Sequence, residues 1–215
     1  MTAVLAAAVL ALLVGGIGLL ARRFAWEPEA ARKASHVAVG TACLALPWLF
    51  ADVVPVLALA AVACAGLLAM RAVPWLRAGF GHALHGIARV SYGEFAFVGG
   101  VAIAFVLAHG DRPAYVAAIL ALAFGDAVAA LVGRRFGRHP YAIGRARKSL
   151  EGSAAFFVVA LLVCAVFPRA ESVAAVAMFA LATTIAEAFA GDGFDNAAIP
   201  LAGLLALRLF GGTLA

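Results

Sequence analysis

GDAVAALVGRRFGRHPYAIGRARKSLEGS, residues 125–153, is the stretch from which the rest of the chain is read. It starts inside an apolar run that Asp126 interrupts, crosses a segment holding six of the sixteen Lys and Arg residues, and closes on Lys148, Ser149, Glu151, Gly152 and Ser153 as the next apolar run begins. A carboxylate at membrane depth costs roughly 2.5 to 3.5 kcal/mol on the insertion scale, so one that stays there has a partner or a task. A metal ion and a polyphosphate would satisfy the two halves of the stretch together.

Working outward, the 215 residues are 66% hydrophobic and 13% charged, with a mean hydropathy of +1.07. That is too little polar surface for a soluble domain of this size. The expected class is all-α: a single integral membrane domain over 1–215, polytopic and helical. Apolar runs occupy Ala3 to Leu20 and then 36–50, 53–70, 94–109, 113–133, 150–168, 173–190 and 197–212. This predicts about eight transmembrane helices, with seven and nine also open because several runs fall short of the ~20 residues of a full crossing. No basic residue precedes the first run and Arg22 and Arg23 follow it, which is the pattern of a retained span rather than a cleaved leader. Cys43, Cys64 and Cys164 all lie within apolar runs, without metal-ligand spacing, and read as packing residues.

Charge fixes an expected orientation. Loops 21–35, 71–93 and 134–149 carry thirteen of the sixteen Lys and Arg residues, which places them in the cytoplasm and both termini outside. The net charge of +5 is therefore topological and gives no sign of a nucleic-acid partner. Within 71–93, Leu76, Phe80, Leu84 and Ile87 fall on one helical face, opposite Arg77, His82, His85 and Arg89. The pattern predicts an interfacial helix.

The acidic residues collect on the same side, where topology does not require them. Asp126 lies seven residues before Gly133, about 10 Å inside its helix end at the α-helical rise. Glu187 sits similarly inside its span, and Asp195 and Asn196 open the last one behind Gly191-Asp192-Gly193. Hard oxygen donors from different helices suit Mg²⁺, which keeps phosphate oxygens among its ligands. The competing reading is a buried ion-pair network of these carboxylates with Arg134 or Arg135. Lys148-Ser149 before Glu151-Gly152-Ser153 at a helix start suits a phosphate, or ordinary capping. Neither a Walker loop nor a nucleophile elbow is present.

Together these residues carry a resemblance. Gly125-Asp126-Ala127-Val128-Ala129-Ala130 with Gly133 and Gly137, then Lys148-Ser149-Leu150-Glu151-Gly152-Ser153, then Asp195-Asn196 with Ile199-Pro200, resemble the polyprenol kinase family of dolichol and phytol kinases. Arg32-Lys33 with His36, and Ser91-Tyr92-Gly93-Glu94, resemble two further motifs of that family. The resemblance implies a multi-pass enzyme of the cytoplasmic membrane that uses CTP and a divalent metal to phosphorylate a long-chain isoprenoid alcohol. It implies a Mg²⁺ set of Asp126, Asp195 and Asn196, with Asp126, Glu151 and Glu187 as the catalytic carboxylates and Glu187 or Glu151 as the base. Its nucleotide set is Arg32, Lys33, His36, Arg134, Arg135, Lys148, Ser149, Gly152 and Ser153. The compact length is closer to phytol kinases than to dolichol kinases. A phosphatidate cytidylyltransferase, which attacks the α-phosphate of the same nucleotide, is the alternative. A transporter would be expected to set polar groups along a midplane path, whereas here they gather at one edge. Membrane lipids are the other expected partners, and oligomeric state is left open.

Overall fold

A computed structural model describes residues 1–73, 92–144, 146–166 and 173–211. The expected interfacial helix, with His82 and His85, lies outside the described residues, as do Ser91 and Arg145. The chain forms α1 (Thr2–Arg23), α2 (Pro28–Cys43), the short α3 (Leu46–Leu49), α4 (Val53–Ala72), α5 (Gly93–Leu107) and α6 (Arg112–Phe136). A hairpin of β1 (Pro140–Ile143) and β2 (Ala146–Ser149) follows, then α7 (Leu150–Val166), α8 (Val173–Phe189) and α9 (Asp195–Phe210).

The helical class is as expected, and three helices, α1, α4 and α6, are long and apolar enough to cross a membrane. The shorter α5, α7 and α8 are also apolar. Large apolar side chains such as Val4, Leu12, Val62, Leu131, Leu162 and Leu209 point outward, the surface of a membrane protein. Two expectations about element boundaries change. The apolar run at 36–50 is only part of its helix, because α2 starts eight residues earlier at Pro28, which is suited to the first helical turn, and carries Arg32 and Lys33 inside the fold. The segment 134–149, read as a loop, contains the antiparallel hairpin, in which Pro140 faces Ser149 and Ile143 faces Ala146. Its connection is two residues long and uses Gly144 at φ 57°, the left-handed region that such tight turns require.

The packing centre is where α9 meets α5, α6 and α8. Ile199, Leu204, Phe179, Ile119 and Phe156 are fully enclosed there. Pro200 inside α9 has no N–H to give the carbonyl of Asn196. That carbonyl is directed at α5, where a Cβ on Gly100 would come within 2.1 Å of it. Only glycine at position 100 allows the two helices to approach this closely. Near the other end of the bundle, Tyr115 donates from its hydroxyl to the Cys43 carbonyl at 2.9 Å, joining α6 to α2.

Midway along α6 the α-helical ladder gives way to a π turn over Ala121–Gly125, and the α-helix resumes at Asp126. π turns occur mostly as single-turn insertions, frequently at functional sites.

Candidate active site

The polar side chains of the interior gather at one end of the bundle. Four helix N-termini contribute: those of α2, α5, α7 and α9, along with the middle of α6, the end of β2 and the last turn of α8. The hydrogen bonds among them define the site.

Asp126, 7% exposed, is ion-paired with Lys33 of α2, and the lysine also reaches the Asp126 carbonyl. Lys148, at the end of the hairpin, lies between two carboxylates: Glu187 Oε1 at 2.8 Å and Asp195 Oδ2 at 3.4 Å. It also donates to the backbone carbonyl of Glu187. Ser153, one turn into α7, donates to Glu187 Oε2 at 3.1 Å and shares a 2.7 Å hydrogen bond with the Tyr141 hydroxyl. Asn196, 2% exposed, donates its amide to the Gly93 carbonyl at 2.9 Å, tying the starts of α9 and α5 together. Beside it, Glu94 accepts from Arg71 at 3.1 Å.

These pairs belong to one electrostatic unit, since Asp126 and Lys33 both act on Asp195, and Asp126 acts on Lys148. Burial alone would lower the Lys148 pKa, but Asp195 and Glu187 hold it above the ordinary lysine value. Its ammonium is therefore charged at any pH an assay would use. Three interior carboxylates face two ammonium groups, leaving the cluster short of positive charge.

Several sequence-derived candidates take other positions. Glu151 is turned outward, where it pairs with His139 at 2.7 Å, so Glu187 is the carboxylate of the two that lies in the cluster. Arg134 pairs with Glu27 on the surface at 2.8 Å, with both side chains more than half exposed. Arg135 lies over the Phe136 ring. The competing reading, a buried network with Arg134 or Arg135, does not hold for those two residues; the interior carboxylates pair with Lys33 and Lys148. Arg32 is held by Glu29. His36 is buried edge-on against Phe97, with ring centroids 4.3 Å apart. Ser149 accepts from the Gly152 N–H at 3.1 Å, as an N-cap of α7. Gly152 is itself a packing residue, since a Cβ there would lie 2.8 Å from the Ala129 carbonyl of α6. Sequence reasoning overlooked Tyr141 and Ser35, and for Tyr141 the turn-forming Gly144 was the available signal.

No family model matches the chain, and no solved structure matches it. A phytol kinase from Synechocystis sp. is 34% identical over 198 residues, covering 86% of this chain and 82% of the relative. The chain belongs to the polyprenol and phytol kinase family. At the cluster, charged groups gather at the helix starts with apolar helices behind them.

A divalent cation can be tested against the residues present. Among the described residues no group of three or more His, Cys, Asp or Glu side chains converges tightly enough to hold a metal alone. Mg²⁺ in nucleotide enzymes does not need such a cage; one or two carboxylates suffice when phosphate oxygens complete the shell. Asp126 and Asp195, which feel each other's charge, fit that smaller requirement.

Proposed function

We propose that this protein transfers the γ-phosphoryl group of CTP to the hydroxyl of an isoprenoid alcohol of the phytol, geranylgeraniol or polyprenol type, at the cytoplasmic face of the membrane. The observation that carries this reading is the meeting of Lys33–Asp126 with Lys148–Glu187–Asp195 at the edge of an apolar bundle, in a relative of a phytol kinase.

Phosphoryl transfer depends on positioning and charge neutralisation more than on covalent chemistry by the protein. Asp126 and Asp195, with the Asn196 side chain beside them, would hold Mg²⁺, which when bound offsets phosphate charge and aligns the β- and γ-phosphates. Lys148 and Lys33 supply fixed positive charge beside those carboxylates, and the start of α7 adds the positive end of its helix dipole. The alcohol oxygen forms the new bond to the γ-phosphorus as the bond to the bridging oxygen breaks, releasing CDP. Glu187 takes the alcohol's proton, held in place for this by Ser153 and Lys148.

The test uses purified protein with Mg²⁺, CTP labelled at either the α- or the γ-phosphate, and a panel of phytol, geranylgeraniol, a long polyprenol, diacylglycerol and phosphatidate. Label from the γ position in an isoprenoid alcohol, with CDP released, is the expected result. Label from the α position in phosphatidate, with pyrophosphate released, would overturn the reading in favour of a cytidylyltransferase. Repeating the assay with ATP, GTP and UTP tests the choice of donor.

A further inference from the structure

Helices α1, α2, α4 and α5 line a half-open cavity of about 590 Å³. Its walls are almost entirely apolar and include Leu10, Val39, Leu59, Ala63, Phe97 and Val101. The polar lining residues are Arg32, Ser35, His36, Glu94 and Asn196. They collect at one end, next to the cluster described above: Arg32 and His36 flank Lys33 on α2, and Asn196 follows Asp195 on α9. The cavity is therefore apolar along its length and polar only where it meets the charged site. By helical rise it runs about 20 Å along α4, from Met70 to Val56.

Two atoms at the polar end lack partners. Ser35 Oγ and His36 Nε2 are buried and have no hydrogen-bond partner among the described residues. The His36 ring is held edge-on against Phe97, and its Nε2 can serve as donor or acceptor according to the tautomer. Ser35 carries a hydroxyl that can donate. Two buried polar groups on adjacent residues suit a ligand that is polar at one end only, such as a long-chain alcohol. Buried polar groups are nearly always matched in a folded protein, so two unmatched ones at the same end of an apolar cavity point to a ligand that completes them.

We infer that this cavity is the isoprenoid site, with the hydrocarbon lying along α4 and α5 and the alcohol end at His36 and Ser35, facing the phosphate-handling cluster. The inference rests on the proposed kinase reading and deepens it. It moves His36 from the nucleotide to the lipid and makes His36 and Ser35 positioning residues for the acceptor hydroxyl. It also makes α4 a ruler of chain length, with Ala63 midway along the lining, seven residues from each of Val56 and Met70.

Three measurements on the full-length protein in detergent test it. A long-chain alcohol bearing a mid-chain diazirine, photolysed and mapped by mass spectrometry, should label α2, α4 and α5, with labelling suppressed by excess phytol. Labels confined to outward-facing residues such as Leu162 or Leu209, or insensitive to phytol, would overturn the site. Ala63→Phe should lower the ratio of geranylgeraniol to farnesol turnover at least tenfold, and an unchanged ratio would overturn the ruler. His36→Gln and Ser35→Ala should each raise the KM for alcohol about tenfold and leave the KM for nucleotide in place. A rise in the nucleotide KM instead would return His36 to the nucleotide and sink the assignment. If the wild-type protein transfers phosphate to no alcohol while phytol still competes with the photoprobe, the kinase reading fails and the cavity assignment stands.

Discussion

Removing Lys33 isolates Asp126 and shows what the carboxylate is for. In Lys33→Met the aliphatic stem is kept and only the ammonium is lost. The side chains of Lys33 and Asp126 are 16% and 9% exposed, so Asp126 would be left as an uncompensated interior charge. Breaking such a pair from one side costs about 3–5 kcal/mol. On the soluble-protein scale for a chain of this length, that corresponds to roughly 6–20 °C in Tm. Lys33→Met/Asp126→Asn removes both charges and should recover most of the loss, because well-packed neutral replacements for a buried pair are often nearly free of penalty. The informative variable is Mg²⁺. If Asp126 belongs to a metal site, the variant without Lys33 is more negative there and binds the cation more tightly. Saturation at a hundred times the Kd adds about 2.7 kcal/mol. Thermal unfolding in detergent, in EDTA and in graded Mg²⁺, should therefore show a larger Mg²⁺ shift for Lys33→Met than for wild type, and none for the double variant. Equal Mg²⁺ responses in all three proteins would refute a metal role for Asp126 and leave Lys33–Asp126 as a structural ion pair.

Three further outcomes are expected. Lys148→Ala should raise the KM for CTP or lower kcat, read by steady-state kinetics, since it removes the cation shared by Glu187 and Asp195; unchanged kinetics would confine Lys148 to a structural role. Gly100→Ala places a Cβ 2.1 Å from the Asn196 carbonyl and should destabilise by about 3 kcal/mol or more, whereas its neighbour Gly99, with nothing within 4 Å, should tolerate alanine, so the two melting temperatures must separate. A cysteine introduced at Ala142, in a chain cleared of its native cysteines, should react with an impermeant reagent only from the cytoplasmic side; labelling from outside would invert the orientation proposed for the hairpin and the site.

What was legible in the sequence was chemistry attached to punctuation. Asp126 stood out because it breaks an apolar run, and Lys148 and Asp195 because each sits at a helix start. Their coming together is a finding of the fold. The partner of Asp126 was not legible: Arg134, named only in the competing reading, lies eight residues further along the same helix, about 12 Å away by the helical rise. The partner that does reach it, Lys33, is 93 positions away and comes alongside only when α2 packs on α6. The hairpin was hidden for another reason. Strands of four residues are too short for a period of two to emerge from a basic segment, and Gly144 was the sole local cue. The cavity had no sequence signature at all, because no single helix contains it. It arises where four helices leave space between them, and the residues at its polar end were read for other roles, Arg32 and His36 for nucleotide and Asn196 for metal, with Ser35 not read at all.

The π turn has a consequence for the azimuth of Asp126. Each residue of an α-helix turns the chain by about 100°. The Arg112–Leu120 part of α6 is fixed by the apolar core, and the Asp126–Phe136 part must direct its carboxylate at Lys33. These two demands are out of phase, and the wider turn at Ala121–Gly125 supplies the angular offset that reconciles them. Deleting one residue from it would leave the hydropathy, the charges and every motif unchanged while rotating Asp126 roughly a quarter turn off its partner. One irregular turn thus acts as a phase key for the carboxylate.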